Sequence, residues 1–425
     1  MVYARDELIE SRSSYRTPRK TRVMTRRELF GRLQSRHNIS GHPRRKTDCQ
    51  IVKIAIATVQ RADFDLKSFM VSSDLVAIWQ LLSVLVPYAA LWVAAYHVHG
   101  TAPWLLVPIA GLMVLFLSRS FALMHDCGHY SLFRRARVNR AVVFLLGIVN
   151  GLPQYPWSRG HAYHHKHNGN WERYRGPAAV LSVAQFDALS PVRQGLYTAL
   201  RHPLMLFPGG FFYLVVKPRV QLLCGVLGYV PHLLGCLWRR EWRGVFAYQS
   251  KFWYTTGEFW DLLGNNICVV GAWFVCGELM GHGFFWALYA PMITVTAAIF
   301  ICVFYIQHNF SESYAHRNEG WSYFTGAMEG SSYFKLPGIL NWFTADIGYH
   351  NVHHLCERIP NYRLAACHRA NAHLLTKVKV LRIRDIPTCC GYVLWDAANN
   401  RLMTVAEHRQ RSTCMAQKFI TTNSA

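Results

Sequence analysis

Two pairs of long apolar runs constrain this chain more than any other feature. Residues 74–98, 102–124, 262–280 and 284–306 are each apolar over close to the ~20 residues that a helix needs to cross a bilayer. Within each pair the connection is short, His97–Ala102 and Met280–Phe284, and holds no Lys or Arg. The stretch between the pairs, 125–261, is rich in cations, with Arg134, Arg135, Arg137, Arg140, Arg159 and Lys166 among them. The positive-inside bias therefore places both termini and the long middle stretch in the cytoplasm. Arg119, near the inner end of the second run, can snorkel to the same interface. Composition agrees: charged residues are 16% of the chain, against about 25% in soluble domains. The predicted fold is an all-α integral membrane protein, with four transmembrane helices in two hairpins and a cytoplasmic helical cap.

The remainder divides by composition. Residues 1–70 are basic and polar and are predicted to be a mobile cytoplasmic tail; 71–370 form the membrane domain; 371–425 form a cytoplasmic C-terminal tail. The first fifty residues lack an apolar segment of the secretory type, so an internal span is expected to direct insertion. Two shorter apolar stretches, 141–153 and 204–216, are predicted to lie in the interface or re-enter, and 220–238 is ambiguous because Pro231 and His232 interrupt it. The net charge of +23 suits an anionic partner, either nucleic acid or the inner leaflet. No nucleic-acid recognition motif accompanies it, which favours the membrane. The 12 cysteines show no CxxC pair and read as free thiols.

The histidines carry the chemistry. His125 and His129 follow the second run at a spacing of four, which stacks two rings on one helical face. His161, His164 and His165, and later His350, His353 and His354, repeat the spacing i, i+3, i+4. His308 sits just past the fourth run. If 141–153 does not cross the bilayer, all nine lie on one side, which agrees with the charge pattern. Nine imidazoles exceed one metal and suit two, with four or five nitrogens each. Imidazole accepts Zn, Cu, Fe and Ni, while structural zinc sites use four ligands, commonly with cysteine. An all-histidine pair better fits a redox metal. Asp126, Asn168, Asp346 and Asn351 are candidates to orient the ligand rings from behind. Trp157, Trp171, Tyr333 and Trp342 are candidates to line a substrate channel; a belt of interfacial aromatics is the alternative.

The segments HDCGHYSLF at 125–133, GHAYHHKHNGNW at 160–171 and QHNFSESYAH…GSSYFKLPGILNWFTADIGYHNVHHLCERIPNYRL at 307–364 resemble the membrane fatty acid desaturases, most closely the bacterial acyl-lipid omega-6 (delta-12) type. The resemblance covers roughly 70–370 and implies that the eight box histidines and His308 bind two Fe2+ ions. It also implies a bacterial inner-membrane enzyme that introduces a cis double bond into a lipid-linked acyl chain, using O2 and two external electrons. The HPGG mark of a fused cytochrome b5 domain is absent, so a separate donor such as ferredoxin is expected. The insertion at 220–250 and the tail beyond 370, with Cys389 and Cys390, have no counterpart in the resemblance.

Two alternatives differ in what they would show. A related di-iron hydroxylase, or a desaturase of another lipid, would share the site and differ in product. A histidine-rich metal transporter would place its ligands near the midplane. The runs 74–98, 262–280 and 284–306 have no central ionisable ligands, which counts against it.

Overall fold

The computed structural model describes residues 59–174 and 178–423. Most of the basic tail assigned to 1–70 therefore lies outside the described residues. Its last part does not: Arg61–Asp63 and Lys67–Phe69 form short turns. Phe64 and Leu66 are buried there against Val352, Leu355, Ile359 and Leu364.

The four apolar runs appear as the helices α1 (Asp74–Val98), α2 (Leu106–Gly128), and, after intervening elements, two further helices of 25 residues each, Thr256–Met280 and His282–Ile306. Between them run α3 (Ala136–Val149), α4 (Gln154–His167) and α5 (Lys217–Trp238); the two later helices are α6 (Thr256–Met280) and α7 (His282–Ile306). Helices α1 and α2 pack together, and α2 packs on α3 and α7. Met113, Leu117, Phe121, Met124, Leu146 and Ile293 fill the core they enclose. The outer faces stay apolar: Leu75, Trp79 and Leu82 on α1 and Ile267, Phe274 and Leu279 on α6 are exposed. That surface suits lipid rather than water. Hydroxyls within these helices bond to their own helix, as Ser118 Oγ does to Val114 O at 2.8 Å and Thr296 Oγ1 to Met292 O at 2.9 Å. This satisfies them where no water competes.

One expectation needs correcting. Among the described residues, five helices rather than four are long and apolar enough to cross a membrane, the extra one being the run Pro203–Trp238. Residues 204–216 and 220–238 were expected to be separate pieces. They join through a wide helical turn at Phe212–Val216, and α5 continues through Pro231. A proline removes one helical hydrogen bond, and the intact turns on either side carry the helix past it.

The segment from 371, expected as a tail, is folded onto the rest. Strand β1 (Leu181–Ser182) pairs in parallel with Leu394–Asp396, which pairs antiparallel with Arg401–Met403. Phe186, Leu394 and Met403 are buried between these strands and the end of α7. The Tyr305 hydroxyl at that end donates to Tyr392 O at 2.8 Å. The chain closes with a helix over Val405–Asn423.

Candidate metal centre

The third histidine box lies on the short helix α8 (His350–Leu355), preceded by a turn of helix at Tyr323–Glu329. The C-terminal ends of α2 and α7, the C-terminal half of α4 and the whole of α8 converge at one end of the bundle. All nine sequence-predicted histidines meet there, in two groups. His125, His129, His161, His165 and His353 form one, and His164, His308, His350 and His354 the other; within each, one ligand atom per residue lies within 4.8 Å of the rest. The short helix α3 leaves the first two boxes on the same side, since their rings touch.

The spacing explains the partition. Residues i and i+4 are 40° apart around a helix and stack, whereas i+3 diverges to the other side of i. His161 and His165 thus serve the group of five while His164 turns to the group of four; on α8, His350 and His354 serve the group of four while His353 turns to the other. Three rings on one helical face therefore divide between two centres. The His165 and His354 rings stack across the boundary with centroids 4.1 Å apart.

The nitrogens point inward. His161 Nε2 lies 2.8 Å from His125 Nε2 and 3.0 Å from His165 Nε2, which in turn is 3.1 Å from His353 Nε2. In the other group His350 Nε2 is 2.9 Å from His308 Nε2 and 3.1 Å from His354 Nε2. One in-plane site per nitrogen holds either a proton or a lone pair, so His161 and His350 cannot satisfy two neighbours each by hydrogen bonding alone. A cation at the centre of each group would satisfy every lone pair at once. Burial holds the rings neutral, as metal ligation requires. It lowers the pKa of His129 to about 3 and of His308 to about 4, the latter opposed by the Gly330 carbonyl. Burial first, then repulsion among neighbouring imidazoles, holds His161, His164, His165, His350, His353 and His354 well below the usual histidine range.

The groups behind the ligands differ from expectation. Asp126 does touch one of the nine histidines: its Oδ1 is 3.2 Å from His125 Nδ1, and its Oδ2 accepts the Asn361 N–H at 2.7 Å. Asn168 touches none, and donates to the Gly326 and Gly330 carbonyls at 2.7 and 3.1 Å. It acts one step away, because Gly330 O also accepts from His308 Nδ1 at 2.8 Å. Asp346 bonds Asn341 instead of a histidine, and the fully buried Asn351 side chain has no hydrogen-bond partner among the described residues. Sequence reasoning missed Glu357, whose Oε2 lies 3.6 Å from His129 Nδ1 and 3.7 Å from His165 Nδ1. Burial raises its pKa, opposed by Arg61 and Arg358. Its position three residues beyond the last box was the available signal.

A cavity of ≈ 580 Å³ adjoins both groups, touching His161, His164 and His308. Its walls are chiefly apolar, with Phe121, Trp157, Leu214, Phe300 and Phe304 prominent, and Lys217 also lines it. Of the four aromatic residues expected there, only Trp157 is present, with its indole stacked on His161 at 4.9 Å. Trp171 packs on Tyr174, Tyr333 stacks on Tyr349, and Trp342 lies under the Arg119 guanidinium against Phe343. Closeness in sequence to a box did not bring these three to the cavity, because their own elements turn them into other packing interfaces.

A bundle of bilayer-length helices with a buried all-histidine metal site beside an apolar cavity defines a membrane metalloprotein suited to oxidising a hydrophobic substrate. The chain belongs to the fatty acid desaturase family, whose sequence profile, described as "Fatty acid desaturase", matches residues 100–385. It is a desaturase, an oxidoreductase. It is 29% identical over 338 residues to a "Fatty acid desaturase" of Bacillus subtilis (strain 168), covering 76% of this chain and 84% of that one. It is 26% identical over 266 residues to an "sn-1 acyl-lipid omega-3 desaturase (ferredoxin)" of Nostoc sp. (strain 36), covering 61% and 66%. With an "Acyl-lipid omega-3 desaturase (cytochrome b5), endoplasmic reticulum" of Arabidopsis thaliana it shares 25% over 314 residues, covering 73% and 74%.

Proposed function

We propose that the protein inserts a cis double bond into the acyl chain of a membrane lipid, using O2 and two electrons from a separate carrier. The observation that carries this reading is the apolar cavity running up to both histidine groups. Under it, the nine histidines hold two iron ions: His125, His129, His161, His165 and His353 one, and His164, His308, His350 and His354 the other. The bound pair would supply the oxidising power that no side chain has, since an unactivated methylene has no acidic proton.

The chain's own residues do the rest. Phe121, Phe300 and Phe304 wall the cavity and exclude water from the chain segment beside the metals. The Trp157 indole, stacked on His161, fixes how closely a methylene pair approaches that ligand. Asp126 and the Gly330 carbonyl hold the Nδ1 sides of His125 and His308, and the Glu357 carboxylate faces those of His129 and His165 at 3.6 and 3.7 Å, leaving Nε2 for the metal. Two hairpins, α1–α2 and α6–α7, cross the inner membrane of a bacterium, with the metal end and both termini in the cytoplasm. The motif text favours omega-6 as the position of the new bond, while the named plant and cyanobacterial relatives are omega-3 enzymes. Those relatives name ferredoxin and cytochrome b5 as donors, and a small carrier of that kind is the donor proposed here.

The test is expression in a host that makes only saturated and monounsaturated lipids, followed by fatty acid and metal analysis. A new double bond with two irons per chain is expected. No new double bond, with iron bound and reduced donor present, defeats the proposal.

A further inference from the structure

The segment at 217–255 remains unassigned by anything above. Helix α5 is 22 residues long, ~33 Å at the rise of an α-helix. After it the chain turns at Arg239–Arg243 and runs back along the same helix. His232 Nε2 lies 2.8 Å from Gly244 O, the Tyr229 hydroxyl donates to Val245 O at 3.3 Å, and the Tyr229 and Tyr248 rings meet at 5.2 Å. Nearer the root, a Cβ at Gly228 would meet the Tyr248 hydroxyl and one at Gly225 would overlap the Trp253 indole, so glycine at these positions lets the returning segment pack close. Residues 248–255 return without helix or strand.

That return decides the orientation. Hydrocarbon tolerates only backbone whose polar groups are bonded internally, and an irregular segment on the lipid side would leave them bare. The returning segment cannot cross a bilayer, and because it runs back along α5, neither does α5. The root packs on the inner half of α6: Asn266 Nδ2, four residues into the apolar run that begins at 262, donates to Pro218 O at 3.4 Å, and the Arg219 side chain reaches on to the Trp273 ring at 4.8 Å. The arm starts from that half, on the metal side.

Its two faces are unlike. Gly225, Tyr229, His232 and Cys236 lie beneath the returning segment, at one angle around the helix. Leu223, Leu227, Val230, Leu234 and Leu237 recur at intervals of three and four on the opposite face and are all exposed. At the far end Trp238 is 91% exposed and Trp242 66%. They are interleaved with Arg239, Arg240 and Arg243, all exposed, and a single acid, Glu241, 3.4 Å from Arg239. An apolar stripe ending in tryptophan and arginine matches the boundary between acyl chains and anionic phosphates.

We infer that 217–255 is an in-plane arm that beds its Leu223–Leu237 face in the leaflet on the metal side and grips anionic phospholipid headgroups with Arg239, Arg240 and Arg243. It is not a fifth span. Lys217 at its root, with Leu214 just before it, walls the cavity beside the histidines, so the arm spreads over the lipid pool from which that cavity is filled. The inference requires membrane insertion and the fold, and does not depend on which reaction the metal site performs.

The test uses the full-length protein in native membrane vesicles. Cysteine is introduced singly by Glu241→Cys at the arm tip, Thr101→Cys in the α1–α2 link and Glu319→Cys in an exposed loop at the metal end, and labelled with a membrane-impermeant maleimide. Labelling is read on the peptide that contains each position. Position 241 is expected to label from the same side as 319; labelling from the side of 101 makes α5 a span and overturns the inference. p-Benzoylphenylalanine at Leu234 is expected to yield a phospholipid adduct, and a crosslink to a second copy overturns the lipid assignment. Dioctanoyl phosphatidylglycerol is then titrated into detergent-solubilised protein and followed by native mass spectrometry. The triple variant Arg239→Gln/Arg240→Gln/Arg243→Gln is expected to bind it roughly fivefold more weakly per arginine removed, with phosphatidylcholine binding unchanged. Equal affinity for phosphatidylglycerol in the two proteins refutes the headgroup contact.

Discussion

Replacing Gly160 with larger apolar residues should weaken the enzyme's handling of its acyl substrate. Gly160 lies on α4 next to His161 and lines the cavity, and a Cβ built on it meets nothing within 4 Å. The substitution therefore fills space without a clash, and it replaces glycine in a helix interior with a better helix former, a gain of up to ~1 kcal/mol. Each methylene displaced from the cavity loses about 0.8 kcal/mol of burial. Alanine removes room for about one such group and leucine for about four, roughly 0.8 and 3 kcal/mol, or about fourfold and two-hundredfold in kcat/KM. A chain of any length must bring its reacting carbons to the histidines beside Gly160, so the loss should fall on all of them. The assay is kcat/KM across a series of acyl lengths for Gly160→Ala, Gly160→Val and Gly160→Leu, with iron content measured alongside. If Gly160→Leu retains its iron and handles every chain length as the parent does, the cavity is not where the acyl chain lies.

His353→Ala and His354→Ala each remove one ligand from a different group, so each should abolish turnover and lower bound iron; undiminished turnover in either variant would eliminate that residue as a ligand. Glu357→Gln weakens the hold on His129 and His165 and should reduce iron affinity by about 10- to 100-fold, measured as loss to a chelator; an unchanged loss rate would show that the carboxylate is a bystander. Because burial lowers the folded-state pKa of His129 to about 3 and of His308 to about 4, the unfolded chain, near 6.5, binds protons first. Stability and metal retention should be full above about pH 6.5 and decline as pH falls toward 4; a flat profile of Tm and iron content between pH 7 and 4.5 would contradict the burial argument.

How far the sequence reached depended on the range of the interaction involved. Runs of apolar residues and the placement of arginine are local properties, and they located α1, α2, α6 and α7. The continuity of 203–238 was not legible, since Pro231 and His232 read as breaks while the packing of Tyr248 and Trp253 onto Gly228 and Gly225 comes from a later stretch of chain. The C-terminal segment read as a tail because its strands are two or three residues long, too short to leave an alternating pattern, and Leu394 is buried only because Leu181 and Met403 flank it.

The nine histidines show the same division. A spacing of four dictates that His125 and His129, His161 and His165, and His350 and His354 work as pairs, because helical geometry is fixed within one turn. Which pair meets which, and that His164 and His353 each desert their own box for the other group, follows from how four helix ends are packed. Glu357 and Phe304 reach the site for that reason, and Trp171 and Trp342 do not. Spacing along a helix is set by the backbone and can be read from the residues in order; contact between elements is set by the packing of surfaces that are remote in the chain, and only the folded molecule specifies it.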